Sequence, residues 1–461
     1  MGGNQVKSLR WMMALSGLAL ALVACQHAPA PLPALDLPLP APVTSPQELE
    51  RFLSSTESPP PPRTASPNGD GVGLTEADLR RLALERNPQV VEADLALRQA
   101  EAAVRRAGQW PNPDLEGKMV VSMEGNPAGE AALKFPIPLG GRIGAQEDLA
   151  GVALELARRD LDAARRTALA QVDRAMARWS LHQARLALFT TLRDRSSQYA
   201  ELARSRREAS VADSVDVALV LADAAKDARR VFRARAELRQ ARVELLRLCG
   251  LPSAEAMPFI LPPLARQGLA ENQAALQKAA LKASDGLARA RLRFRLADGQ
   301  LGLRLAEQWP DLKLGPAFVG DAGGVALGLA LGVEIPLLHQ RGGQVEEARL
   351  HRERAAALLR LEARDVVAGI QARFFELEGL DGELDGLLSE AAAELDQATV
   401  LAEVRFTSGQ LDVLRLLSVH RSFASLKLEY LALLHAQRLA LIDLQARVGR
   451  PLRFAPEEGR P

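Results

Sequence analysis

Val325-Ala-Leu-Gly-Leu-Ala-Leu-Gly-Val-Glu-Ile-Pro-Leu337 alternates without a break. Val325, Leu327, Leu329, Leu331, Val333, Ile335 and Leu337 are large and apolar, and the residues between them are Ala, Gly, Ala, Gly, Glu and Pro. Period two marks a β-strand with one apolar face. The stretch has 13 residues, and a tilted membrane-crossing strand needs about 9–11. Ala, Leu, Arg and Glu, all good helix formers, dominate the rest of the chain. A lipid-suited strand in a helical chain requires an architecture that holds both.

The totals exclude several classes. The chain has 461 residues and a net charge of +1, which gives no case for nucleic acid. Aromatics are 4%, low for a compact core and normal for long Ala/Leu helices. Cys25 and Cys249 form no disulfide framework and no zinc spacing. His27, His182, His339, His351, His420 and His435 are scattered, so no metal site and no cofactor is expected. No nucleophile–base constellation appears, and Gly140-Gly141 and Gly342-Gly343 lack the spacing of a nucleotide fingerprint, so no enzyme is expected.

The start of the chain reads as an address. Residues 1–24 carry basic Lys7 and Arg10 and then an apolar run at 11–23, short of the about 20 residues a spanning helix needs. Leu22-Val23-Ala24-Cys25 has the form of a bacterial lipobox, which predicts a lipidated Cys25 as a tether. The plainer alternative is a secretory signal followed by a chance Cys. Gln26, in place of Asp, resembles lipoproteins sorted to the outer membrane. Residues 25–73 form an extended linker; 12 of the 28 prolines lie between Pro29 and Pro67.

The body then repeats. Thr75 and Asp78 open a helix over 76–108, with a bend at Asn87-Pro88. A hairpin at 115–139 has Leu115, Met119, Val121, Met123, Leu133, Phe135, Ile137 and Leu139 on one face, opposite Glu116, Lys118, Ser122 and Lys134. Residues 152–249 contain no Gly or Pro. Two long antiparallel helices are therefore expected, over 145–208 and on to 248, the first roughly 95 Å long. Landmarks recur in the second half: Trp110 and Trp309, Ile137 and Ile335, Asp216 and Asp412, Gly250 and Gly449, offset by 199, 198, 196 and 199. The divisions are a first repeat at 74–252, a connector at 253–270, a second repeat at 271–452 with its hairpin at 312–337, and a tail at 453–461. Helices are expected over 344–406, bent or broken near Gly369, Gly379, Gly382 and Gly386, and over 411–448.

Backbone in lipid must be paired, so spanning sheets close on themselves, and known single-chain barrels start at about eight strands. Four strands per chain imply strands shared between protomers; three protomers supply twelve. The alternative is a soluble α+β protein whose hairpins pack on its own helices.

With these features in place, residues 74–452 resemble the TolC superfamily of outer-membrane efflux channels. The carriers are Leu74-Thr-Glu-Ala to Asn87-Pro88, Gln109-Trp110-Pro111-Asn112-Pro113, Phe135-Pro-Ile-Pro-Leu-Gly-Gly-Arg142, Arg405-Phe406-Thr-Ser-Gly409-Gln-Leu-Asp412-Val413-Leu414 and the stretch from Leu444 to Gly449. The 135–142 segment is most similar to the CzcC-like, heavy-metal efflux branch. The resemblance implies a mainly α membrane protein: a homotrimer with a twelve-strand β-barrel in the outer membrane and an α-barrel in the periplasm. It also implies a periplasmic adaptor and an inner-membrane pump of the resistance-nodulation-division type as partners.

By the same resemblance, the turns near 207–216 and 405–412 form the periplasmic tip. Asp412 matches the position lining the constriction there, with Asp213 and Asp216 as first-half counterparts. Arg415 stands where a second Asp can occur, so the charge ring is weaker or salt-bridged. The plain reading of each Asp is a helix N-cap, and of Gly409 a turn residue with φ > 0. Cys249 reads as a packed helix-end residue. Arg204, Arg206 and Arg207 read as solvated surface or as adaptor contacts. The rival function is a periplasmic adaptor lipoprotein, which would need β-rich domains and no duplicated plan.

Overall fold

The computed structural model describes residues 73–121, 127–208, 213–251, 258–321, 324–333, 340–388 and 390–455. The leader, Cys25, the linker up to residue 72, Ser122, Met123, the turn residues 124–126 and 322–323, and Glu334-Ile335-Pro336-Leu337 lie outside the described residues.

Strand β1 (Leu74–Thr75) leads into α1 (Glu76–Arg86) through a capping box. The Thr75 hydroxyl accepts from the Asp78 N–H, and the Asp78 carboxylate accepts from the Thr75 N–H at 3.1 Å. Asn87 ends α1 and caps α2 (Pro88–Ala107): its Oδ1 accepts from the Gln89 N–H at 3.0 Å, and Pro88 opens the new helix. The expected bend is therefore a corner between two helices. The second half is built the same way, with α5 (Gln273–Ala283) capped by Asn272 and α6 (Asp285–Ala306) capped by Ser284. The connector contributes β4 (Phe259–Ile260), paired in parallel with β1, a contact with no local signature.

The two hairpins join into one antiparallel sheet. Strands β2 (Asp114–Val121), β3 (Pro127–Pro138), β5 (Asp311–Asp321) and β6 (Gly324–Val333) lie in the order β2-β3-β5-β6. Strand β3 starts at Pro127, six residues before the Leu133 suggested by alternation. The small residues Ala128, Gly129, Ala131 and Ala132 hide the period, but they still pair with β2.

Helix α3 (Arg142–Glu208) runs 67 residues, about 100 Å. Helix α4 (Ser214–Leu248) returns along it. Helices α7 (Gly342–Leu388) and α8 (Glu390–Thr407) run out in the second half, and α9 (Val413–Val448) returns. Helix α7 runs through all four glycines and ends at Leu388, two residues past Gly386, before α8 begins at Glu390. At Gly369 an added Cβ would lie 2.5 Å from the guanidinium end of the Arg447 side chain, which can move aside.

Three large buried clusters hold the ends of the long helices together. Leu79, Leu82, Val172, Trp179, Leu245 and Phe259 fill the corner of the first half; Leu276, Ile370, Leu441, Leu444 and Val448 fill that of the second. Each corner is closed by a left-handed glycine. Gly250 (φ 64) and Gly449 (φ 75) end α4 and α9, and an added Cβ would lie 2.8 Å from the Arg86 carbonyl oxygen and 2.5 Å from that of Ala283. Cys249 is buried beside Gly250, and burial pushes its thiol up to about 12, as suits a packing residue. The third cluster lies at the far end of the long helices.

Candidate functional site

Two surfaces stand out, at opposite ends of the chain's long helices. The first is the sheet. Directly paired residues share a face, and alternate residues along a strand share one, so register and alternation together assign the faces. Leu115, Leu133, Pro316 and Leu329 share one face, as do Gly117, Ala131, Phe318 and Leu327, and likewise Phe135, Leu314 and Leu331. That face is apolar across all four strands, and among the described residues no element covers its large side chains on β6: Leu329 is 73% exposed and Leu331 67%. Water exposure of so continuous a patch is unfavourable.

The other face is small and charged. Lys134 pairs with Glu116 at 2.5 Å, and Lys313 reaches Asp114 at 2.7 Å across β3. Lys118 lies opposite Glu130 in register. Gly315 sits on this face because a Cβ would fall 1.7 Å from the Leu133 carbonyl oxygen. Strands β2 and β6 are the two edges of the sheet among the described residues, and an edge offers unpaired backbone groups to another chain. Among the described residues no helix is long and apolar enough to cross a membrane.

The second surface is the tip where α3 meets α4 and α8 meets α9. Tyr199, Ala203, Val217, Val220, Phe406, Val413 and Leu416 form its core. The chain leaves α8 through Gly409 (φ 80), with the Gln410 N–H donating to the Arg405 carbonyl at 2.8 Å. The turn role of Gly409 accounts for it. Arg206 is not a solvated residue: it donates to the Phe406 carbonyl, lies over the Phe406 ring at 4.6 Å, and so ties the first hairpin to the second.

Asp213 and Asp412 occupy the N-cap positions of α4 and α9, but neither side chain accepts a capping bond. Asp412 is exposed, and among the described residues it forms no ion pair; Arg415, also exposed, does not bridge to it. The two caps are 199 residues apart, the offset of the Trp and Gly landmarks. The alignment of Asp216 with Asp412 is therefore corrected: Asp213 corresponds to Asp412, and Asp216 to Arg415. Matching Asp-Val dipeptides misled the comparison by one helical turn.

Sequence reasoning missed the polar ties beneath the tip. The Tyr199 hydroxyl donates to Glu403 at 2.7 Å, and Arg195 pairs with Glu403 at 3.1 Å. Burial pushes the Tyr199 hydroxyl pKa up, and the bond to Glu403 adds to this. Arg421 pairs with Asp223 at 2.9 Å, and His420 with Asp227 at 3.3 Å. The missed signal is positional. Val217, Val220, Ala224, Asp227 and Val231 follow a 3-4 spacing, so Asp227 occupies a core position. Among the described residues no group of three His, Cys, Asp or Glu could hold a metal ion.

Residues 79–251 match the family described as outer membrane efflux protein. No curated protein matches the chain. Among solved structures, a membrane protein from Pseudomonas aeruginosa is similar with a TM-score of 0.69 and 20% identity, over 86% of this chain and 97% of that one. The outer membrane protein VceC of Vibrio cholerae gives 0.69 and 18%, over 81% and 96%. The open-state MtrE outer membrane channel of Neisseria gonorrhoeae gives 0.64 and 19%, over 81% and 89%. Long helices with a small sheet at one end are thus the fold of TolC-like outer-membrane channels.

Proposed function

We propose that three copies of this chain form a channel in the bacterial outer membrane, the passive exit duct of a tripartite efflux system. The observation that carries this reading is the sheet: one continuous apolar face, one charged face and two open edges, in a chain whose described helices cannot cross lipid. Closing three such sheets into twelve strands satisfies the edges and turns the apolar face to lipid. The charged face then lines a wet lumen, and the long helices enclose a duct in the periplasm.

The finer parts belong to the same proposal. Cys25, lipidated, tethers each protomer to the outer membrane through the proline-rich linker. A periplasmic adaptor engages the tip, and an inner-membrane pump of the resistance-nodulation-division type supplies energy and selects cargo. Heavy-metal cations are the proposed cargo, on the resemblance of residues 135–142. Exposed Asp412, with Asp213 and Asp216, gathers carboxylates about the three-fold axis and favours cations there, while Arg415 dilutes that field.

The test uses the full chain with its leader. Expected are recovery in the outer-membrane fraction, a trimer by native mass spectrometry, and discrete conductance in a planar bilayer. Recovery as a soluble monomer overturns the reading.

A further inference from the structure

We propose that the side of the chain formed by β2, α2 and α4 packs against the side formed by β6 and α7 of a second copy, and that opposite charges on the two sides fix this head-to-tail joint. The inference rests on the reading of the chain as one of several copies that close a ring. Each strand of the sheet continues one helix: α2 leads into β2, β3 into α3, α6 into β5 and β6 into α7. The helices stand in the same order as the strands, since α3 lies between α2 and α6, and α6 between α3 and α7. Further along, Glu244 of α4 pairs with Arg178 of α3 at 2.6 Å, Arg174 of α3 with Asp443 of α9 at 2.5 Å, and Asp443 with Arg373 of α7 at 3.3 Å. The order there is α4-α3-α9-α7, so the two open sheet edges continue as two open helical sides.

The two sides are opposite in charge at the same level. Residues 228–248 hold seven arginines against two glutamates, whereas residues 366–388 hold five carboxylates against one arginine. The pairs through Arg178, Arg174 and Asp443 bring these two segments level with each other. On α4, Arg229, Arg235 and Arg239 are exposed and form no ion pair among the described residues; on α7 the same holds for Glu378 and Glu383. Exposed apolar side chains lie among these charges: Phe232 (69%) and Val243 (51%) on α4, and Phe375 (54%) on α7. At 3.6 residues per turn each points away from the buried row of its own helix, Ala234 and Ala241 on α4, Ile370, Leu377 and Leu384 on α7. Like charges keep two α4 sides apart, and two α7 sides likewise. Unlike sides attract, and a joint between two different surfaces repeats from copy to copy until a ring closes.

The test uses the full chain with its leader, purified in detergent and weighed by native mass spectrometry. Arg235→Glu with Arg239→Glu turns the α4 side acidic, and Glu378→Arg with Glu383→Arg turns the α7 side basic. Either pair of changes is expected to cut the share of trimer at least about ten-fold, and all four together, which exchange the two charges, to restore it within about two-fold. Helicity by circular dichroism should stay at the wild-type level, because all four residues are exposed. If a reversed side prevents folding, Arg239→Gln and Glu383→Gln take its place, and the fall in trimer share with added salt should flatten. Undiminished trimers in both single-side variants, a combined variant no better than either, or an unflattened salt response overturns the pairing of the sides and leaves the channel reading standing. Wild-type copies that join in open chains, with no conductance in a planar bilayer, count against the channel reading. The pairing then stands or falls on whether each single-side variant loses that joining.

Discussion

Leu329→Lys tests the assignment of the sheet faces most directly. Leu329 lies in the middle of β6, opposite Pro316, on the face it shares with Leu115 and Leu133. A lysine on the lipid face of a barrel costs about 2–4 kcal/mol at the midplane and about 0–1 near the headgroups. A trimer carries the change three times, so the assembled barrel loses roughly 6–12 kcal/mol. Losses of that size approach the whole stability of many domains, and insertion should collapse. Ala330→Lys places the same charge one residue on, on the face with Lys134 and Glu116, where it meets water. Its loss should stay below about 1 kcal/mol. The assay is the share of protein recovered as outer-membrane trimer, with urea midpoints in lipid vesicles for whatever inserts. Leu331→Lys should behave like Leu329→Lys. Equal recovery of Leu329→Lys and Ala330→Lys would refute the face assignment and the barrel built on it.

Gly250→Ala and Gly449→Ala should each lower stability by more than about 1 kcal/mol in thermal unfolding, from left-handed backbone strain and contact with a facing carbonyl. Gly379→Ala should do the reverse by about 1 kcal/mol, since nothing lies near its Cβ position in a continuous helix. Burial, with the charges of Arg178, Arg185 and His182, pushes His435 down to about 4. The unfolded chain takes that proton near about 6.5, so stability should fall as pH drops from there towards 4 and level off below. His435→Gln should flatten that slope in denaturant titrations. Asp412→Asn should reduce the cation preference read from reversal potentials, and an unchanged potential removes Asp412 from the constriction.

Period-two alternation made β6 legible because its face is uniform: every second residue from Val325 to Val333 is large and apolar. The corners were legible through Gly250 and Gly449, which few other residues could replace. The β3–β5 pairing was not, because Ile137 and Leu312 meet across a large sequence gap and nothing local in either strand names the partner. Helix α7 was legible except for its extent, which continues through the glycines to Leu388. Its glycines lower local propensity, but packing against α9 and α5 outweighs that. His420 and Asp227 were overlooked because scattered histidines were screened for metal spacing and not for core position.

The duplicated tip has a consequence for stoichiometry. Asp213 and Asp412 begin equivalent helices, each followed two positions later by an exposed apolar residue, Val215 or Leu414. Three chains would arrange six such helix starts around one axis. The next position breaks the likeness, with Asp216 in one set and Arg415 in the other. A binding protein that reads only the acid and the apolar knob finds six equal berths. One that reads the following charge finds three of each kind, alternating in sign. Counting adaptor copies per channel, with wild type and with Arg415→Asp, would report which of the two symmetries the partner obeys.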